Sequence, residues 1–533
     1  MTKIEYNKPT FAQFLIFAFV YLVLTVYFYS FSNYGFNVWD EGGYANGALR
    51  TYHGESALKD FNPNGYPPGR YWYAVLFFKM FGVSIQSLRT SVVALTPGMI
   101  IMVYAIARKV MPPGFSLLAS LCMFSAPAMY YNRFYPFFCV LNLYCLIELM
   151  EKKRLWNLVL LACSIFLSLF FKLEVGVFSI VIGAALLPLA ILNTSRLSAA
   201  VSKPGFRAFV FVAAAMISAT IIYFLRNDAI QKVSEMVFKL HGVWGNPFPD
   251  IFPFFVLLEK LGHHEMFERV LFYIPVWVYG VAGALLSVRI FTGTGTNRDL
   301  CLAAVLLFGV CAFGLVLWRA GFDNLLRTLP PFYILFCYLL HLFREKILKE
   351  LKKPGPPASF LWLKTEAVEI LVLFFPLMFI YEMNVNQGFY AGTVGAVKFE
   401  RTRLQMDRID VYTNPEEAKW LKTVVDRIQT HTQKGDPILA LPLNPVFYFL
   451  SDRINPTPYD WILPGELDQE KETQLVELLK AKTPKMIVYV DIAIDGKEER
   501  RLSNYSPLLF KFIADHYRVM EVVGFFQLLV PKE

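Results

Sequence analysis

The sequence predicts a polytopic α-helical membrane protein of about eleven spanning helices, with further helices lying in the interface and a C-terminal soluble α/β domain. Three observations predict it. Of 533 residues, 56% are hydrophobic and only 17% charged, against about 25% charged in an ordinary soluble domain, and mean hydropathy is +0.44. The apolar residues gather into runs, many of which approach the roughly 20 residues a helix needs to cross a hydrocarbon layer about 30 Å thick. The lysines and arginines fall in alternate gaps between those runs, the pattern left where cytoplasmic loops hold the positive charge.

Taken in order, the spans are expected near 11–31, 87–109, 115–132, 134–150, 155–171, 175–192, 208–225, 270–288, 300–318, 328–343 and 366–383. The first run lacks the short core and small-residue cleavage site of a signal peptide, so it is expected to remain as a span. Lys3 and Lys8 start inside, and Arg108, Lys109, Lys152, Arg154, Arg207, Arg289 and Arg344 follow on the same side. An odd number of spans then puts residues 32–86, residues 226–268 and the tail on the outer side. The transmembrane part is expected over 1–390 and the outer α/β domain over 391–533.

Within the outer segments, Pro67 to Phe81 is aromatic-rich, carries Arg70 and Lys79, and is too short and too polar to span, which suits a helix lying in the interface. Residues 229–241 and 251–268 read similarly. In the tail, apolar spacing predicts helices over 415–430 and near 507–516, short strands at 438–441 and 486–490, and two closing strands split by Gly524.

Composition also excludes some classes. The net charge of +9 is spread between spans, not massed on an aromatic-interleaved soluble face, so no nucleic-acid partner is expected. The seven cysteines lie in apolar runs and read as small buried residues, not as a disulfide or metal framework. His263-His264-Glu265 gives no metal site, because adjacent histidines point to different helix faces.

The sharpest local feature is Trp39-Asp40-Glu41-Gly42-Gly43-Tyr44, just beyond the first span. One reading makes Asp40 the cap of a helix over 45–52, since Asp favours that position. The other makes it a carboxylate placed near the interface to take a proton from a hydroxyl. The two are compatible.

Asp40-Glu41, then Asn64-Gly65-Tyr66-Pro67-Pro68-Gly69-Arg70-Tyr71-Trp72-Tyr73 and a phenylalanine-rich helix, resemble the GT-C glycosyltransferases. Within them the chain is similar to the bacterial branch related to protein O-mannosyltransferases and lipid A aminoarabinose transferases. Asn132-Arg133-Phe134-Tyr135, Phe171-Lys172-Leu173-Glu174-Val175-Gly176 and Arg327-Thr328-Leu329-Pro330-Pro331 extend the likeness. It implies an inverting transfer of a sugar from a polyprenyl-phosphate carrier to an acceptor hydroxyl on the outer side of a bacterial inner membrane. In that scheme Asp40 is the general base and Glu41 orients or tunes it. Arg70, Lys172, Arg327 and Arg133 hold the carrier phosphate, whose growing charge needs cations where water is excluded. Arg226 and Arg319 are further outer cations. Tyr44, Tyr66 and Glu174 line the acceptor or sugar pocket, with Glu174 paired to Lys172.

Two positions depart from the aminoarabinose branch. Tyr66 stands where that branch has a lysine on the carrier phosphate, and no acid falls between Arg133 and Glu148, which weighs against a lipid A acceptor. No second acidic motif suggests a required divalent cation, so no cofactor is expected, and the chain is expected to act as a monomer. The rival reading is a flippase or transporter of lipid-linked glycans. Many of those show paired halves meeting at mid-membrane, whereas the halves of this chain are unlike.

Overall fold

In hydrocarbon every backbone N–H and C=O must be paired within its own segment, and the apolar runs accordingly fold as helices. The computed structural model describes residues 11–64, 66–125, 132–191, 249, 254–292, 296–318, 320–351, 358–386 and 393–532. Helices stand at every predicted span except 208–225, which lies outside the described residues, as do segment 229–241, Arg226 and Arg319.

The helices are α1 (Phe11–Ser30), α2 (Asp40–Tyr52), α3 (Gly69–Phe81), α4 (Ile85–Val93), α5 (Leu95–Val110), α6 (Pro113–Cys122), α7 (Phe134–Lys152), α8 (Leu155–Phe171), α9 (Leu173–Ile191), α10 (Phe254–Phe291), α11 (Asn297–Trp318), α12 (Phe322–Thr328), α13 (Pro330–Leu351), α14 (Ala358–Tyr381) and α15 (Thr393–Phe399). Among the described residues, five helices are long and apolar enough to cross a membrane, or six if α12 and α13, bent by 66°, form one broken span; α1, α6, α8 and α9 add shorter apolar helices. The protein is therefore a multi-pass membrane protein. Apolar side chains left exposed on α1 and α14, such as Phe14 and Ile370, face lipid, which is as apolar as they are.

One expectation needs correction. Segment 251–268 and the span at 270–288 are not an interfacial helix followed by a span: from Phe254 to Phe291 they form the single helix α10, which runs through Pro275. Membrane helices tolerate an internal proline because neighbours satisfy the freed carbonyl.

Beyond α15 the chain forms a hairpin of β1 (Thr402–Met406) and β2 (Ile409–Thr413), then α16 (Pro415–His431), β3 (Ile438–Leu441), α17 (Val446–Ser451), α18 (Gln469–Ala481), β4 (Met486–Val490), α19 (Leu502–Tyr505), α20 (Pro507–His516), β5 (Tyr517–Val523) and β6 (Phe526–Pro531). The four-stranded sheet has order β3-β4-β6-β5, with β3 and β4 parallel and the rest antiparallel. Alternate residues of a strand face opposite sides. Leu439 and Ile487 therefore pack with Leu475 and Leu509, while Ile438 and Val488 pack with Val424 and Ile428.

This sheet layer sits on the outer loops. Gly35 donates its N–H to the Tyr412 carbonyl at 2.7 Å, Ile85 to that of Arg408 at 2.9 Å and Asn62 to that of Pro458 at 2.7 Å. The tail thus fixes the segment that holds the acid pair and α3.

Candidate functional site

The site begins at the turn before α2. The Asn37 side-chain oxygen accepts from the backbone N–H of Trp39 at 3.1 Å and of Asp40 at 2.7 Å, the local pattern by which Asn turns a chain into a helix. Asp40 was expected to cap a helix over 45–52. Instead α2 starts at Asp40 itself, and Asn37 satisfies the first donors. Asp40 is half-buried, in a first turn where the helix dipole favours negative charge, and takes a long contact of 3.4 Å from the Asn37 amide.

Glu41 lies on the other side of the helix with 0% exposure. Arg89, equally buried, donates Nε to one of its oxygens at 2.6 Å and Nη2 to the other at 2.7 Å. The same guanidinium reaches the carbonyls of Ser32 and Gly35, both at 2.6 Å. One planar fork thereby ties the end of α1, the following turn and the start of α2 to α4. Glu41, expected to orient or tune Asp40, is a carboxylate matched by an arginine and closed to solvent.

Residues Glu41 to Arg50 are buried because α17 and the tail cover them. A Cβ on Gly42 would come within 2.6 Å of the Val446 Cβ, and one on Gly43 within 2.2 Å of the Trp461 ring, so the glycine pair permits the close approach. Polar partners lock it. Asp460 accepts from the Asn46 amide at 2.9 Å and the Arg50 Nη1 at 2.9 Å, and Arg50 also pairs with Glu55 at 2.7 Å.

Tyr44 lies one helical turn beyond Asp40, on the same face of α2. Burial pushes its phenol up, so it remains a donor, and it gives its proton to the Arg70 carbonyl at 3.1 Å. The Arg70 guanidinium is 4.1 Å from the Tyr44 ring centre and 4.1 Å from that of Tyr66. On the Tyr66 ring also lies the Lys172 ammonium, at 4.4 Å. Ring faces attract cations through their quadrupole, so two tyrosines hold two positive charges together without neutralising them. Arg70 is 2% exposed, and its Nε makes no hydrogen bond.

Lys172 reaches this place because it is the one extended residue between α8 and α9. Its neighbour Phe171 packs on Phe134, which packs on Tyr44 and Tyr73. Glu174 pairs with Lys172 at 3.6 Å and is half exposed. The position where a lysine was missing from the motif, Tyr66, therefore receives its cation from a distant helix end.

Arg133 stands directly before α7 and is buried next to Phe134. Arg327, in α12, is held by Asp323 at 2.6 Å and Asn324 at 3.1 Å, and α12 packs against α7. Tyr44, Tyr66, Arg70, Lys172 and Glu174 thus form one connected set, Asp40 lies one turn before Tyr44 on α2, and Arg133 and Arg327 occupy adjoining helix ends. Sequence reasoning missed Arg89, Asn37, Asn46 and Arg50, and took Asp460 for a residue that stitches the tail domain together. Arg89 left a signal: a charged residue at the head of an apolar span must find a partner. Among the described residues, no group of three or more His, Cys, Asp and Glu side chains could hold a metal ion.

No family model matches the chain, and no curated protein matches it. Solved structures do. ArnT from Cupriavidus metallidurans bound to undecaprenyl phosphate is similar over 97% of this chain and 98% of its own, with TM-score 0.55 and 14% identity. The apo state of that protein matches over 97% of each chain, with TM-score 0.53 and 14% identity. AglB from Archaeoglobus fulgidus, in complex with an inhibitory peptide and a dolichol-phosphate, reaches TM-score 0.49 at 12% identity over 97% of this chain and 74% of its own, a likeness too loose to argue from. The chain has the GT-C fold, as its motifs implied.

Proposed function

We propose that this protein is an inverting glycosyltransferase that moves a sugar from a polyprenyl-phosphate carrier to an acceptor hydroxyl on the outer side of the membrane. One observation supports it most: a half-buried carboxylate on a clamped helix stands one turn from a tyrosine-held pair of cations that no acid fully neutralises. The fold is shared with a protein whose structure holds undecaprenyl phosphate.

In this reading the carrier phosphate rests against Arg70 and Lys172, with Arg133 and Arg327 at the rim. Asp40 takes the proton of the acceptor hydroxyl, whose oxygen attacks the anomeric carbon. The bond from that carbon to the phosphate oxygen breaks, and prenyl phosphate leaves with the electron pair. Its added negative charge falls on two cations already desolvated and oriented, where electrostatic stabilisation counts most. Tyr44, Tyr66 and Glu174 border the sugar. No step requires a metal. The alternate placing of basic loops supports an N-terminus in the cytoplasm and a tail outside, and the family resemblance supports the inner membrane of a bacterium. The acceptor is a glycolipid, polysaccharide or protein hydroxyl.

The test is turnover of radiolabelled prenyl-phosphate sugar by the purified full chain in liposomes. Free prenyl phosphate should form, and Asp40→Asn should fold normally yet lose about 10²- to 10⁴-fold in rate, the usual contribution of a general base. A labelled sugar that crosses the bilayer still attached to its carrier would instead identify a flippase.

A further inference from the structure

The bundle has a recess that the transfer reading does not use. It measures about 370 Å³ and lies between the start of α6 and the facing parts of α13 and α14. α5 runs for 16 residues from the Arg89 side to this end, about 24 Å at the helical rise, so the recess faces the leaflet opposite Asp40.

Its chemistry is mixed in a specific way. Phe115 forms an apolar wall, and the His341 ring stands 5.1 Å from it. The His341 Nδ1 is buried and finds no hydrogen-bond partner among the described residues. Arg344 gives Nε and Nη2 to Glu369 and Nη1 to Glu345 at 3.0 Å. That leaves two of the five guanidinium N–H groups uncommitted. Among the lining residues, two carboxylates against one guanidinium leave a surplus negative charge. Leu373 in the lining is exposed, as are Leu117, Phe343 and Ile370, which adjoin lining residues in sequence, so the recess is bordered by helices that present apolar side chains to acyl chains.

An occupant must therefore be amphiphilic, must bring acceptors for His341 and Arg344, and must bring a cation with N–H donors for the carboxylates. We propose that the recess binds the headgroup of a phospholipid bearing a primary ammonium, of the phosphatidylethanolamine type. The phosphate accepts from His341 Nδ1–H and the free N–H groups of Arg344, and the ammonium donates to Glu345 and Glu369. A choline headgroup lacks the N–H donors, and a glycerol headgroup leaves the surplus negative charge facing a phosphate. This site is independent of the transfer reading and is tested without turnover.

The measurement is native mass spectrometry of the full chain in detergent, titrated separately with phosphatidylethanolamine, phosphatidylcholine and phosphatidylglycerol of equal chain length. One ethanolamine lipid should be retained at least about tenfold more tightly than either other lipid, a difference of roughly 1.4 kcal/mol. His341→Phe keeps an aromatic ring against Phe115 but removes a phosphate donor, so it should weaken retention of all three lipids. Glu369→Gln, which removes one acid and frees Arg344, should turn the preference toward the glycerol lipid. Equal retention of the three lipids by the unaltered protein, or ethanolamine-lipid retention that is unchanged in His341→Phe, overturns the proposal. Thermal unfolding of each variant verifies its fold, and if Glu369→Gln does not fold, the His341→Phe comparison decides alone.

Discussion

Arg89 and Glu41 form a fork in which both carboxylate oxygens and three guanidinium nitrogens are engaged, and neither side chain is exposed. The pair is 48 residues apart in sequence and joins the acid-bearing turn to α4. Removing one partner of a buried pair leaves the other charge uncompensated, at a cost of about 3–5 kcal/mol. Arg89→Ala should therefore lower the unfolding temperature markedly and abolish transfer. Arg89→Lys keeps the charge but cannot reach two oxygens and two carbonyls at once, so it should fold better than Arg89→Ala while still transferring slowly. An Arg89→Lys protein with normal stability and rate would show that the fork does not hold Asp40.

Tyr66 offers a ring face to both Arg70 and Lys172, so the ring, not the hydroxyl, is the working part. Tyr66→Phe should preserve transfer and its dependence on carrier concentration. Tyr66→Ala should weaken the use of carrier, as should Arg70→Gln and Lys172→Gln. Because the two cations share one ring, the Arg70→Gln and Lys172→Gln effects should not add, and a double-mutant cycle on carrier dependence measures this directly. Independent, additive effects would separate the two cations.

Reading the chain alone located apolar helices, because apolar patterning is a local property, and it singled out Asp40, Arg70 and Lys172 through motifs of a few residues. What it lost was made of distant pairs. Asp460 meets Asn46 and Arg50 across more than 400 residues, and nothing near Asp460 in sequence announces this. Glu41 was read as orienting or tuning Asp40 because the two adjoin in sequence, and its partner Arg89, 48 residues away, was not visible. The continuous helix α10 was divided because Glu259, Lys260, Glu265 and Arg269 make its first half look interfacial. Its backbone nevertheless continues unbroken to Phe291.

The contact between Gly43 and Trp461 leaves no room for a methyl group: a Cβ would meet the indole at 2.2 Å. Gly43→Ala should cost about 1–3 kcal/mol by overpacking, seen as a fall in unfolding temperature together with lost transfer. Trp461→Leu in the same chain withdraws the ring and should recover most of the stability. If Gly43→Ala is neutral, the indole swings aside and the contact does not constrain α2.

Glu466 gives the junction a pH dependence of definite sign. Its oxygens accept from the Asn62 amide at 2.5 Å and from the Leu463 N–H at 3.0 Å. Burial pushes its carboxyl up to about 8 from an ordinary value of 4.5, with Asp460 adding to the rise and Lys471 opposing it. A carboxyl whose folded value is raised stabilises the fold fully below the unfolded value, and that contribution is lost as pH climbs toward the folded one. The unfolding temperature should thus fall between about pH 4.5 and 8. Glu417, pushed up to about 7 by burial, adds to the lower part of the same fall. Glu466→Gln cannot ionise, so its protein should lose the decline between about pH 7 and 8 and keep a shallower one below. Calorimetric scans of both proteins across this range decide the matter, and parallel curves would mean that Glu466 is ionised in the folded protein.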